Sequence, residues 1–486
     1  VSPGTNEWGR PLWETMDVLR AQGAVVHDAA GYVFRLLVLK FLSDVTDGPP
    51  APGIPRFVVP PSAHWSRLQI DWSSALGDRV NKACAVLEQA NPPLSRLLTE
   101  VDFNSIRLGD LLPALFQTLS ALPPLSGERV LDGSLGEVAD DFLHRLVETS
   151  GREYGQFYTP PSVARLLAEL LDPRENMRLY DPVCGVGGFL VECTRRVASR
   201  SEVSLPRAAA SLVLHGQEKN VEMWALCRMN LLLHGIVDAR IERGNALWSP
   251  LMTEQGHMLQ YDRVVADPPW GLRDWGADRA SEDAFGRFNP VPPRHGADYA
   301  FVQHCLAALA EGGMAALLLP RGVLFRGGAE EHIRRKLLEE DRFEAIIGLP
   351  GNLLYDTSIA PVVLVLRKGK PANRRNRVLF IDTSEAGVRK GRRHTLSRED
   401  IGAIVNAFQD FGGDGRHARA VHLDEIASFN WNLTVERYVE REEEHERLML
   451  DEQLDALADA EKQREEAARR MDASISRLKH FCPSAS

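Results

Sequence analysis

Apolar residues recur at helical spacing early in the chain, in Leu12-Trp13-Met16-Leu19 and again in Tyr32-Leu36-Leu37-Leu39-Leu42. That period predicts a mostly helical region from residue 8 to about 150, broken by a loop at Gly48-Pro49-Pro50-Ala51-Pro52-Gly53. From about 155 to 370 the pattern changes to short apolar runs separated by helical stretches. The runs are Arg178-Leu179-Tyr180, Leu212-Val213-Leu214-His215, Arg240-Ile241-Glu242, Arg263-Val264-Val265, Ala315 to Leu319, Ala345-Ile346-Ile347 and Val362 to Leu366. Strands alternating with helices in this way predict an α/β fold with a Rossmann-like doubly wound sheet. The last forty residues are rich in Glu, Arg and Ala, and Leu450, Leu454, Leu457, Ala468, Met471, Ile475 and Leu478 follow one 4-3 spacing that Glu461 and Arg464 interrupt. This predicts a long C-terminal amphipathic helix, which either packs on its own domain or docks a partner's helix, with the polar seam positions favouring specific pairing. The expected domains are therefore 1–150, helical; 151–438, the sheet-bearing catalytic domain; and 439–486, the terminal helix.

A length of 486 residues fits two or three such domains, and 44% hydrophobic with 26% charged residues is a globular composition. No run of eighteen apolar residues and no charged-then-apolar leader occurs, so a cytoplasmic protein without a membrane partner is expected. Cys84, Cys184, Cys193, Cys227, Cys305 and Cys482 lack ligand spacing, which suits buried thiols and implies no metal. A net charge of -10 has the wrong sign for holding a long polyanion unaided. Basic residues nevertheless cluster in Arg367-Lys368-Gly369-Lys370, Arg374-Arg375-Asn376-Arg377 and Arg389 to His394, around the strand-like Val378-Leu379-Phe380-Ile381. These are either solvated loop charges or a local grip on nucleic acid.

Candidate chemistry gathers at strand ends. Asp181-Pro182-Val183-Cys184-Gly185-Val186-Gly187-Gly188 forms a glycine-rich turn into a helix, where backbone can approach a ligand closely. Its G-x-G-G spacing differs from the dinucleotide fingerprint. The next strand runs into Glu218, an acidic residue placed to bind ribose hydroxyls, and the third ends near Asn245, which can hydrogen-bond an adenine edge. The fourth ends at Asp267-Pro268-Pro269-Trp270. A Pro-Pro pair can simply stiffen a turn. In this setting Asp267 and the Pro268 carbonyl can instead accept the two hydrogens of an exocyclic amine while Trp270 stacks on its ring, drawing the nitrogen lone pair out of conjugation.

These residues resemble the amino-group DNA methyltransferases that use S-adenosylmethionine, and the likeness extends to the modification subunit of type I restriction-modification systems. It covers most of the chain: Leu12-Trp13 and Leu36 to Asp44 near the start, Gly155-Gln156-Phe157-Tyr158-Thr159-Pro160 before the glycine turn, Gly216-Gln217-Glu218 with Met229-Asn230-Leu231, Ile347-Gly348-Leu349-Pro350, and Phe429-Asn430-Trp431-Asn432-Leu433 with Arg437-Tyr438. The resemblance implies a methyltransferase fold in which Phe157, Tyr158 and Thr159 help hold the cofactor, with Asp181, Gly185 and Gly187 near its methionine part. It further implies that Glu218 takes the ribose, Asn245 the adenine, and Asp267, Pro268, Pro269 and Trp270 the target base. The sequence departs from the family pattern at Val186, where a small hydroxyl residue is usual, at Asn245, where an acid is usual, and at Asp267 and Trp270, where type I subunits usually carry Asn and Phe.

The expected reaction is methyl transfer from S-adenosyl-L-methionine to the 6-amino nitrogen of a DNA adenine flipped out of double-stranded DNA. Transfer to a cytosine 4-amino group and a silent cofactor-binding scaffold are the alternatives; a dehydrogenase leaves the Asp-Pro-Pro-Trp turn unexplained. The acidic balance, the lack of a recognisable base-reading module and a terminal helix suited to docking predict a separate DNA-specificity subunit, with a second copy of the chain and a nuclease subunit as further possible partners.

Overall fold

The computed structural model describes residues 26–70, 75–105, 111–150, 157–391, 393–412 and 417–439, together with helical residues 457, 460–467, 469 and 471. The early helical repeat at Leu12 to Leu19, the pair Gly155-Gln156, and Leu450, Leu454, Ala468, Ile475 and Leu478 lie outside the described residues. Residues up to Val439 form one compact unit and Glu440–Ser486 a second. In the second, the described residues are helical and exposed, including Leu457 and Met471.

The strands are β1 (Arg178–Asp181), β2 (Val213–Glu218), β3 (Arg240–Arg243), β4 (Thr253–Glu254), β5 (His257–Met258), β6 (Tyr261–Ala266), β7 (Leu309–Pro320), β8 (Phe343–Gly348), β9 (Pro361–Arg367), β10 (Arg377–Asp382), β11 (Val388–Lys390), β12 (Arg393–Thr395) and β13 (Ala418–His422). Nine of them make one sheet in the order β13-β10-β8-β9-β7-β6-β1-β2-β3. Here β9 runs antiparallel to β7 and β8, β13 runs antiparallel to β10, and the other pairings are parallel. The central strands are buried on both faces, so they read in sequence as unbroken apolar runs such as Ala315 to Leu319 and Val362 to Leu366. The edge strand β13 buries only Ala418 and Val421 of its five residues, too weak a pattern to stand out in the sequence.

The early helices cover one face of this sheet. In the helix Val26–Asp47 every residue from Ala30 to Leu42 is buried, and it packs on the helix Val221–Leu233, itself almost wholly buried between β2, β3 and the helical layer. One hydrophobic cluster consequently runs from Leu36, Phe41 and Leu87 through to Leu190 and Leu231. The buried Arg35 donates to the Leu97 and Gly31 carbonyls at 3.1 and 3.0 Å, and Lys40 is paired to Asp44 at 2.6 Å. Among the described residues no helix is long and apolar enough to cross a membrane.

Two of the three basic runs have structural roles. Glu344, fully buried, pairs with Arg367 at 3.3 Å and Arg374 at 2.7 Å, while the buried Lys370 pairs with Asp341 at 2.6 Å. Glu344→Ala leaves two cations without their shared counter-charge and is expected to destabilise the chain by about 3 kcal/mol. An unchanged denaturant midpoint would show that those guanidinium groups are neutralised elsewhere.

Candidate active site

The strand order reverses beside β1. Connections from β1 lead outward through β2 to β3, and the chain then returns to place β6 on the other side of β1, opening a crevice at their C-terminal ends. A cavity of about 410 Å³ occupies that place, within the range of small-molecule sites. Its wall includes Phe157, Tyr158 and Thr159, the turn at Gly185 and Val186, Glu218 from β2, Asn245 after β3, and Asp267 and Pro269 after β6. Asp181, Gly187, Pro268 and Trp270 lie next to it without lining it.

The glycine turn is shaped by local chemistry. Asp181 Oδ1 accepts from the Val183 amide at 3.0 Å, and Gly187 caps the helix Gly188–Ser201 at φ 85°. Gly185 has φ 50°, and a Cβ there would meet the Phe157 carbonyl oxygen at 2.5 Å, so only glycine lets the two segments close together. Val186 is 5% exposed, and its carbonyl accepts from Asn230 Nδ2 at 2.9 Å. Asp181 is fully buried, and its Oδ2 finds no donor among the described residues. Burial, first, and then the charges of Glu218 and Asp267 hold its carboxyl well above the usual range. A buried acceptor without a donor, beside a glycine cradle, suits a ligand that brings an ammonium or other positive charge.

Glu218 is 7% exposed, and its two oxygens accept from the Gly185 amide at 3.0 Å and the Asn220 amide at 2.7 Å. These bonds orient a carboxylate that keeps further lone pairs for hydroxyls. Burial raises its pKa while the backbone amides pull it down. Asn220 in turn caps the helix Val221–Leu233, accepting from Glu222 and Met223. Asn245 Oδ1 accepts from the Leu247 amide at 2.9 Å and the Trp248 amide at 3.3 Å, which leaves its Nδ2 as the group able to address a ligand.

The Asp-Pro-Pro-Trp turn is pinned at both ends. Thr159 Oγ1 donates to Asp267 Oδ2 at 2.6 Å, Trp270 Nε1 donates to the Leu318 carbonyl at 3.3 Å, and the Gly271 amide donates to Asp298 Oδ1 at 3.1 Å. Trp270 is half-buried against the core on that side of the sheet. Among the described residues nothing donates to Asp267 Oδ1 or to the Pro268 carbonyl, so two acceptors stand available at adjacent positions of the chain. Desolvation pushes the Asp267 carboxyl up to about 7; the Thr159 bond lowers it and the nearby charge of Asp356 raises it.

Several contributors escaped the sequence reading. Arg287, 6% exposed, donates to Asp283 and to the carbonyls of Ala246 and Leu247 at 2.8 and 2.7 Å, fixing the backbone that follows Asn245. Its Nη1 also donates to His304 Nδ1 at 2.8 Å, so Nε2 of His304 carries the proton toward Tyr180 Oη at 3.2 Å. Burial, and then Arg287, holds His304 down to about 3, neutral at ordinary pH. No motif marks these residues; only Asn220, an Asn directly before an apolar helix, carried a readable capping signal.

The sequence profile of the N-6 DNA Methylase family matches residues 132–447, and that of the HsdM N-terminal domain matches residues 9–118. The chain is 30% identical over 385 residues to the type I restriction enzyme MpnII methylase subunit of Mycoplasma pneumoniae, spanning 74% of this chain and 69% of that protein. It is 29% identical over 410 residues to the HindI methylase subunit of Haemophilus influenzae, spanning 78% of this chain and 89% of that one. The crystal structure of the type I restriction-modification system methyltransferase subunit from Streptococcus thermophilus shares the fold, with a TM-score of 0.75 at 24% identity over 90% of this chain and 100% of that one.

Thr159→Val removes the hydroxyl that stabilises the Asp267 carboxylate, so the Asp267 midpoint is expected to move upward by about one pH unit. Carboxyl-carbon NMR of the two proteins measures it, and a midpoint that stays or falls contradicts the role given to this bond.

Proposed function

The chain belongs to the N-6 DNA methylase family, and we propose that the crevice beside β1 is where it carries out that family's reaction. It is an S-adenosyl-L-methionine-dependent adenine-N6 DNA methyltransferase, a modification subunit of the type I kind, acting on DNA together with partner subunits. The observation that carries the site assignment is the pair of unoccupied acceptors, Asp267 Oδ1 and the Pro268 carbonyl, at the rim of the cavity.

In this reading Phe157 and Tyr158 form the apolar wall for the cofactor, Thr159 orients Asp267, and Gly185 and Gly187 allow the turn to close on the methionine part. The donorless Asp181 oxygen supports an ammonium nearby. Glu218 takes the ribose hydroxyls and Asn245 donates from Nδ2 to the adenine ring. The bound cofactor supplies an electrophilic methyl group on a positively charged sulfur.

The target adenine, rotated out of the duplex, presents its amino group to Asp267 and the Pro268 carbonyl. Accepting both hydrogens turns the nitrogen lone pair toward the methyl carbon; as the new N–C bond forms, the carbon–sulfur bond would break with its electron pair staying on sulfur, and one proton leaves the nitrogen for the Asp267 carboxylate or water. Pro269 stiffens the turn, and the half-buried Trp270 offers the remaining part of its ring to the base. Asp267 accepts most strongly while ionised, and its raised midpoint puts the loss of that state at neutral pH rather than near pH 4. The adenine reading is favoured over cytosine because an Asp begins this turn.

Asp267→Ala is expected to lower methylation at least about a hundredfold while calorimetric binding of S-adenosylmethionine persists, and the parent rate should fall as pH drops through about 7. Parent-level methylation by the variant sinks the catalytic assignment. The exposed Leu457 and Met471 on the terminal helix support docking to a separate specificity subunit, with a nuclease subunit and a second copy joining the same assembly. Deleting residues 441–486 should then abolish co-purification with that subunit and spare cofactor binding; intact assembly of the truncated chain refutes the docking role.

A further inference from the structure

The fold sends the three basic runs to opposite edges of the sheet. Because β9 is antiparallel to β7 and β8, Arg367 at its end lies on the edge away from the cavity, as does Arg377 at the start of β10. Between them, Lys370 is tied to Asp341 and Arg374 to Glu344. The third run has the opposite placement. β10 is parallel to β8 and finishes at Asp382 opposite Gly348, on the edge where β1 and β6 also end. Thr383 then bonds the Gly348 carbonyl through its amide and hydroxyl at 2.9 and 2.7 Å, and the chain rises into the β11–β12 hairpin.

That hairpin is tied to the rim of the site. The His394 amide donates to the Asn352 carbonyl at 3.0 Å, and the Arg393 guanidinium lies 4.1 Å from the centre of the Tyr355 ring. Tyr355 meets the edge of Tyr158, a cavity wall residue, at 5.8 Å, and donates to or accepts from His144 Nδ1 at 2.8 Å. Its neighbour Asp356 is close enough for its charge to act on Asp267. Among the described residues no carboxylate lies within ion-pair distance of Arg389, which is exposed, or of Arg393.

We propose that the hairpin Val388–Thr395 holds the backbone phosphates of the DNA strand that carries the target base, through Arg389 and Arg393. The inference rests on the DNA methyltransferase reading. An extruded nucleotide stays tethered by its sugar-phosphate chain, so its flanking phosphates must lie at the rim of the catalytic edge. A chain of net charge -10 needs a local cationic grip there. Guanidinium groups that meet no carboxylate among the described residues provide it: their planar donors match phosphate oxygens, and the contact with the Tyr355 ring holds Arg393 in place beforehand.

The test uses the purified methylating complex with Arg389→Gln and Arg393→Gln made singly, with DNA binding followed between about 50 and about 200 mM salt. Each variant should raise KM for DNA several-fold and flatten the slope of log Kd against log salt by about 0.9, with kcat at saturating DNA and cofactor affinity unchanged. Arg389→Lys should keep the parent slope, as should Lys368→Gln on the far edge. Parent slopes in both Gln variants overturn the proposal, and so does a fall in kcat at constant KM, which would make Arg393 a support for Tyr355 only. A parent complex that binds cofactor yet methylates no DNA would instead defeat the underlying reading.

Discussion

The reversal of strand order beside β1 is the constraint on which the site depends. A parallel strand must be reached by a crossover, and a sheet that grows first to one side of β1 and then to the other leaves its connecting segments diverging at one point of the edge. Asp181 and Glu218 end β1 and β2, and Asn245 and Asp267 follow β3 and β6; these strands are neighbours, so Glu218, Asn245 and Asp267 line one crevice with Asp181 next to it. The hydrogen bonds found there mostly serve this convergence. Glu218 ties β2 to the glycine turn, and Thr159 ties the segment ahead of β1 to the turn after β6.

How much of this was legible follows from how local each cause is. Strands buried on both faces announce themselves as apolar runs, and residues at or just after strand ends fall on one edge of the sheet, which is why Glu218, Asn245 and Asp267, all legible in sequence, line one cavity. The Thr159–Asp267 bond spans 108 residues and the Arg287 contact to Ala246 spans 41, and neither leaves a periodic trace. The basic runs looked equivalent in sequence; only the antiparallel insertion of β9 decides that Arg374 becomes a counter-ion for Glu344 while Arg389 reaches the edge that carries the cavity. Trp270, read as a stacking ring, is half spent on the core and on the Leu318 carbonyl. The departures at Val186 and Asn245 acquire a physical sense: Val186 contributes its backbone carbonyl, and Asn245 uses its oxygen on its own loop.

The helical layer is part of the same construction. Because the helix Val221–Leu233 is buried on both sides, the glycine turn rests on a support that the early helices complete: Asn230 holds the Val186 carbonyl, and Leu231 belongs to a cluster shared with Leu36 and Phe41. The architecture thus links the packing of the first hundred residues to the shape of a turn formed much later in the chain.

The cluster of Asp181, Glu218 and Asp267 has a further effect on the proposed reaction. Burial first, and then the charges of Glu218 and Asp267, raise the pKa of Asp181, and a ligand bearing positive charge relieves that cost. Once the methyl group has left, the sulfur is a neutral thioether, and the same carboxylates face a ligand poorer by one unit of charge. In a partly desolvated crevice that difference weakens attraction substantially. In the proposed reaction the spent cofactor would then be held less firmly than the fresh one, and each turnover would prepare its own exchange.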